Sequence, residues 1–254
     1  MLKLRLHISD RGRGWNWFCG AGWLLALLLG FWAAPRIYHR LILHLPGVQL
    51  QNWTAVLAAK EKEVSSPWRD PRPLIVFAGD SEIEFGNWYD LFGGNWAVRN
   101  CGLARAKIAD VTRLVAAIGP PHPQVVVLMC GINNLGHRDS RAACVQDYAA
   151  LLAGVNSQLQ PKAILVLSVM PVRESAIDRQ VHEFNLNIAR FNAELADCCL
   201  QHRALFLNVT PAVAGANGGL ADDLTPDGLH LNPEGYRRLA QAMAPQLDSR
   251  MQTP

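Results

Sequence analysis

The sequence predicts an α/β fold: a three-layer α/β/α sandwich around a five-stranded parallel sheet, preceded by one N-terminal transmembrane helix. Three observations predict it. Five short apolar runs alternate with stretches whose apolar residues recur every three or four positions. Continuous apolar strands alternating with amphipathic helices imply a parallel sheet covered on both faces. Residues 15–34, WNWFCGAGWLLALLLGFWAA, carry no charge over about the ~20 residues needed to cross a ~30 Å hydrocarbon core.

The charges flanking that run orient it. Lys3, Arg5, Arg11 and Arg13 precede it, and Arg36 and Arg40 follow it. The excess keeps residues 1–14 in the cytoplasm and places the rest outside, in a periplasm or another extracytoplasmic space. Trp15, Trp17 and Trp32 lie near the ends of the run, where Trp suits the membrane interface. A cleaved signal peptide needs small residues before its cut, and Trp32-Ala33-Ala34-Pro35 offers Trp in that place. Cys19 precedes the Leu-rich core, which argues against a lipid anchor on it.

Residues 35–72 read as a connector. Within it 49–63 predicts a short amphipathic helix with Leu50, Trp53 and Leu57 on one face. Pro67, Pro71 and Pro73 then mark a boundary, and 73–254 forms the globular domain. Its strands are expected at 74–78, 96–99, 124–130, 163–170 and 204–209. Helical periods fall at 108–118, 142–159 and 233–247. The clearest runs through Ile177, Val181, Phe184, Ile188, Phe191 and Leu195.

Composition excludes several functions. Net charge is +3, with the cations gathered around the N-terminal run. No basic stripe carries interleaved aromatics, so nucleic acid is not an expected partner. The six cysteines show no C-x-x-C or Cys/His ligand spacing, which argues against zinc. Cys101 and Cys130 are expected to stay unpaired. With the first strand between theirs they lie roughly 9.6 Å apart, beyond the ~6.8 Å a disulfide spans.

Four spots fall at the ends of the predicted strands or in the last loop, where ligands of such sheets bind. They are Gly79-Asp80-Ser81, Gly102, Gly131-Ile132-Asn133-Asn134 and Asp227-Gly228-Leu229-His230. A serine hydroxyl needs a base to become a nucleophile, and His230 is a candidate. Asp227 is placed to hold the other imidazole nitrogen and fix its tautomer. The backbone N–H groups of Gly102 and Ser81 and the side-chain amide of Asn133 are candidate donors to an oxyanion. Singly, each spot reads as a turn or a helix entry. Together, in this order, they point to acyl transfer from a carboxylic ester.

The same four blocks resemble those of the SGNH hydrolases, also called GDSL-like esterases and lipases, over residues 73–248. The resemblance implies a flavodoxin-like fold and no metal or cofactor. It implies Ser81 as nucleophile, His230 as base, Asp227 as its orienting partner, and Gly102 and Asn133 completing the oxyanion hole. Two positions depart from the family pattern. Glu82 replaces the usual Leu after the serine. Asn134 replaces the usual Asp of the third block, a variant similar to the platelet-activating-factor acetylhydrolase branch.

The expected substrate is a short acyl ester, an O-acetyl group on a glycan or a small lipid ester. An acyltransferase would use the same site. A membrane-tethered, non-catalytic glycan-binding module is the rival from another class. Trp88, Tyr89 and Phe92, just after the nucleophile, are open to two readings: wall of an acyl or sugar pocket, or core.

Overall fold

A computed structural model describes residues 46–174 and 179–251. The expected transmembrane segment at 15–34 and the cytoplasmic residues 1–14 lie outside the described residues. Among the described residues no helix is long and apolar enough to cross a membrane. The unit that holds the sheet runs from Val56 to the C-terminus.

Helix α1 (Pro46–Val64) comes first. Leu57 and Val64, seven residues apart and so on one face, are both buried. The helix end is gripped by Arg99, whose guanidinium donates to the carbonyls of Val64 and Ser66. A cation on the last carbonyls satisfies orphan acceptors and suits the negative end of the helix dipole. Arg113 pairs with Glu61 on the same helix. In the proline-rich segment that follows, Arg72 pairs with Asp70 and donates to the carbonyl of Gly93.

The sheet then forms from β1 (Leu74–Gly79), β2 (Ala97–Gly102), β3 (Val125–Met129), β4 (Ala163–Leu167) and β5 (Leu205–Leu207). All pairs are parallel and the order is β2-β1-β3-β4-β5. Every residue of β1 and β3 is buried, which explains their unbroken apolar runs. Cys101 and Cys130 are free and buried, with β1 between their strands. Burial pushes the Cys101 thiol up to about 12 and raises that of Cys130 as well, so neither is a thiolate at neutral pH.

Seven helices carry the argument below. After α1 they are α2 (Ser81–Glu84), α3 (Ile108–Ala117), α4 (Ile132–Gly136), α5 (Arg141–Gly154), α6 (Arg179–Gln201) and α7 (Pro233–Met251). Asn232 caps α7 through the N–H of Gly235, with Pro233 as the first helical residue.

Three differences from the sequence reading have physical reasons. β4 leaves the ladder at Leu167, not 170, because side chains of α6 take over its backbone bonds. Asn192 accepts from the N–H of Val169 and donates to its carbonyl, and Asn185 does the same for Val172. β5 spans three residues, half-buried at the sheet edge. The helix expected at 142–159 widens into a π-helical turn at Val155–Leu159 and ends where Gln160 takes φ +46°.

The chain order matters for the site. From β1 it passes outward to β2, then returns across β1 to β3 and continues to β5. Connections therefore leave β1 and β3 to opposite sides, and a crevice opens between their carboxyl ends.

Candidate active site

Ser81 stands at that crevice. β1 ends in Gly79, where a Cβ would lie 2.0 Å from the Met129 carbonyl oxygen and 2.6 Å from Ile83. Only glycine lets the chain pass so close to β3 before turning. Asp80 then caps α2, its Oδ1 accepting from the N–H of Glu82 at 3.1 Å. A helix of one turn leaves most of its carbonyls without helical partners, and here other parts of the chain supply them. The Ser81 carbonyl keeps the helical bond, from the N–H of Phe85, while that of Glu82 accepts from Tyr236 Oη. Trp88 Nε1 reaches Ile83 O at 2.7 Å, and Asn100 Nδ2 lies within bonding distance of Ile83 O and Glu84 O. The serine's turn is fixed from three directions.

The last loop brings the other two predicted residues. His230 Nε2 lies 3.0 Å from Ser81 Oγ, and His230 Nδ1 lies 2.7 Å from Asp227 Oδ2. Asp227 Oδ1 accepts from the N–H groups of Leu229 and His230 at 2.9 and 2.8 Å. Partial burial pushes the Asp227 carboxyl up. The imidazole and N–H of His230 and the N–H of Leu229 outweigh that and hold it at about 2. The carboxylate is thus charged at any pH near neutrality, and acts as an acceptor. Gly228 permits the turn: its φ is +89°, and its N–H donates to Thr225 Oγ1 at 2.8 Å. Arg173 closes the loop from outside, its N–H on the Gly228 carbonyl at 2.8 Å.

The three expected oxyanion donors fare differently. Ser81 is the first residue of α2, where an N–H has no helical acceptor. Asn133, on α4 at the end of β3, donates one amide hydrogen to the Ala106 carbonyl at 3.0 Å, which fixes the plane of its amide. The second hydrogen of that NH₂ group remains for a ligand. Gly102 departs from expectation. Its N–H donates to Asn100 Oδ1 at 2.9 Å, so that bond must exchange before it can serve an oxyanion. Glycine is required there in any case, because a Cβ would sit 2.2 Å from the Glu84 nitrogen.

The departures from the family pattern have structural explanations. Asn134 is buried, accepts from the N–H of Ile108 at the start of α3, and donates to Asp139 Oδ2 at 3.0 Å. An aspartate there would face the Asp139 carboxylate instead of bonding to it. Glu82 is also buried, and its hydroxyl neighbour Tyr236 lies 3.3 Å from Oε2.

Of the three aromatics after the serine, Trp88 and Phe92 stack on Phe77 in the core, while Tyr89 is exposed. The aromatic that reaches the site is Phe85, which the sequence reading missed. It is 54% exposed and packs edge-on against His230 at 5.2 Å. Its position four residues after Ser81, one helical turn on, was the available signal.

Two spaces share Ile132 and Leu229 in their walls, and the first also touches Ser81. A small cleft of about 10 Å³ is lined by Ile132, Met129, Val169, Met170 and Leu229 together with the Asp80–Glu82 turn. An open groove of about 490 Å³ runs past Asn133, Asp227 and Leu229 to His137, Arg173 and Phe184. Val181 and Phe184, expected on the buried face of their helix, line this groove instead. No cluster of three or more His, Cys, Asp or Glu residues suited to a metal occurs among the described residues.

The model of the GDSL-like Lipase/Acylhydrolase family matches residues 77–238. The sequence has no significant match among curated proteins. Several solved structures share the fold. A Streptococcus pneumonia protein described as a platelet activating factor aligns with TM-score 0.70 at 22% identity, over 78% of this chain and 96% of its own. A GDSL-like lipase from Bacteroides thetaiotaomicron gives 0.58 at 20%, over 76% and 95%. A catalytic mutant of an acetylxylan esterase from Geobacillus stearothermophilus gives 0.59 at 15%, over 69% and 94%.

Proposed function

The chain belongs to the GDSL-like lipase/acylhydrolase family and is an SGNH-type carboxylic ester hydrolase, and on that premise we propose that it removes a short acyl group, an acetyl, from a glycan hydroxyl through an acyl-enzyme on Ser81. The observation that carries this reading is the chain of contacts from Asp227 through His230 to Ser81 Oγ. His230 Nε2 takes the hydroxyl proton as Oγ attacks the ester carbonyl. Asn133 and the Ser81 N–H receive the oxyanion. The C–O bond to the alcohol breaks, the alcohol leaves with the proton from His230, and water repeats the sequence to release the acid.

The spaces around the serine support the choice of substrate. The small cleft beside Ser81 has room for about one water molecule, which suits a short acyl group such as an acetyl. The open groove, with Phe184, Asn133, His137 and Arg173 along it, accommodates the larger alcohol portion. The uncharged run at 15–34 and its flanking cations support a membrane anchor with this domain on the extracytoplasmic side.

A fluorophosphonate tests the nucleophile directly. It is expected to label the folded protein at Ser81 and to leave Ser81→Ala unlabelled. Labelling at another serine, or none on folded protein, overturns the assignment.

The cleft makes a second prediction. A methylene in an apolar pocket of fixed shape is worth ~1–3 kcal/mol, or roughly 10–200-fold. On 4-nitrophenyl esters, kcat/KM is expected to fall by at least about tenfold from acetate to butyrate. Met170→Ala, which opens the cleft wall, should narrow that ratio. Equal rates for acetate and hexanoate in the wild-type protein would remove the cleft as the acyl site.

A further inference from the structure

A carboxylic acid lies where the family pattern has leucine, directly behind the nucleophile. Glu82 follows Ser81 on α2 and is 4% exposed. Tyr236 Oη, from α7, donates to its backbone carbonyl at 3.0 Å and lies 3.3 Å from its Oε2. The N–H of Leu231, the residue after His230, also interacts with its carboxyl. Its Oε1 is buried and has no hydrogen-bond partner among the described residues. Tyr236 is in turn wedged edge-on against Trp88 at 5.6 Å, and Trp88 stacks on Phe77 of β1. One side chain therefore connects the serine's turn, the base's loop and the last helix.

We propose that Glu82 is a positioning residue, a strut between α2 and the 227–231 loop that keeps Ser81 Oγ and His230 Nε2 at bonding distance. This rests on the reading of Ser81 and His230 as nucleophile and base. A leucine could fill the space and keep the Tyr236 bond to its backbone carbonyl, but it would lose the side-chain contacts with Tyr236 Oη and the N–H of Leu231. A carboxylate would accept, but at a cost. The groups that face Glu82 are Asp80 on its own turn, Asp227 on the base's loop and Tyr236 on α7. Burial and the charge of Asp80 push the Glu82 carboxyl up to about 8, against the pull of Leu231 and Tyr236. Burial likewise raises Asp80 to about 7, against the backbone N–H groups of Glu82 and Gly131. At neutral pH the strut is therefore uncharged. Once it ionises, a negative charge sits behind the point where the oxyanion forms, and turnover should fall.

Stability carries the same signature. Folding raises the Glu82 pKa from 4.5 to about 8, so the folded state holds the proton more tightly. Its penalty is absent below about 4.5, grows as pH rises towards about 8, and is constant above that. Glu82→Gln, which is never charged, should gain in Tm relative to wild type across that window.

The test uses the folded domain with 4-nitrophenyl acetate and a fluorophosphonate, from pH 5 to pH 10. The wild-type protein is expected to lose turnover on the alkaline side with a midpoint near 8. Glu82→Gln should lack that limb and retain more kcat at pH 7 than Glu82→Leu. Glu82→Leu should lack the limb as well and lose about tenfold or more in kcat with KM little changed. Tyr236→Phe, which also removes the bond to the residue-82 backbone carbonyl, should lose a similar factor or more, and combined with Glu82→Leu it should cost less than the sum of the two, as expected of two residues in contact. Full kcat in Glu82→Leu, or an alkaline limb that survives in Glu82→Gln, overturns the strut. If Glu82→Leu does not fold, the Gln limb and Tyr236→Phe decide. A wild-type protein with neither turnover nor labelling at Ser81 would instead defeat the esterase reading on which the strut rests.

Discussion

His230→Ala is expected to lower kcat by about 10⁶-fold, down to the background that oxyanion donors and binding sustain without a base. The reason is that Ser81 Oγ has its one imidazole contact at 3.0 Å, and an unassisted hydroxyl is a weak nucleophile. Asp227→Asn should lose about 10⁴-fold. This variant is informative because its two roles separate. Oδ1 accepts two backbone N–H groups, and an asparagine oxygen can keep those bonds and the loop. Oδ2 accepts from Nδ1–H, and an amide NH₂ in that place favours the tautomer with hydrogen on Nε2, which cannot take the serine proton. A melting curve close to wild type alongside the loss of turnover is the expected pair of results. Because the Asp227 carboxyl lies at about 2, it stays ionised from pH 5 upward. An Asp227→Asn protein with full activity across pH would show that another group orients His230.

The parts of this molecule that were legible in sequence are those with a period or a spacing. Val125–Met129 is buried at every position, so its apolar run was unbroken and visible. The Asp227 to His230 spacing was visible because a single tight turn, opened by Gly228, joins the two. What stayed hidden depends on tertiary contact. Asn100 reads as an ordinary polar residue, yet it holds both the turn after Ser81 and the N–H of Gly102. The sequence offers Gly102 as a donor; that its missing Cβ also admits the Glu84 backbone shows only in the fold. The end of β4 could not be read, because the side chains that replace its ladder, Asn185 and Asn192, come from a helix some 20 residues on. The Arg99 grip on Val64 and Ser66 spans more than 30 residues and has no local signal.

Asn133→Ala is expected to depress kcat and kcat/KM together by about 10²–10³-fold, or ~2.7–4 kcal/mol, with KM nearly unchanged. The charge on the carbonyl oxygen is small in the ester and large in the tetrahedral intermediate, so a donor aimed at it acts on the transition state. The Asn133 amide is preorganised for this, since one of its hydrogens is fixed on the Ala106 carbonyl at 3.0 Å. That same bond gives the residue a structural share. Ala106 is fully buried, and removing its donor leaves a buried carbonyl unsatisfied, a loss of roughly 1–3 kcal/mol in stability. Melting temperature and turnover must therefore be measured on the same preparations, with kcat scaled to the folded fraction. Asn133→Asp should be worse for turnover than Asn133→Ala, because a carboxylate cannot donate to the oxyanion and repels it. A purely structural Asn133 would give the opposite split: both variants would melt earlier, and the folded fraction would keep its kcat. That result would leave the Ser81 N–H as the only open donor, and would make exchange of the Gly102–Asn100 bond the next step to test.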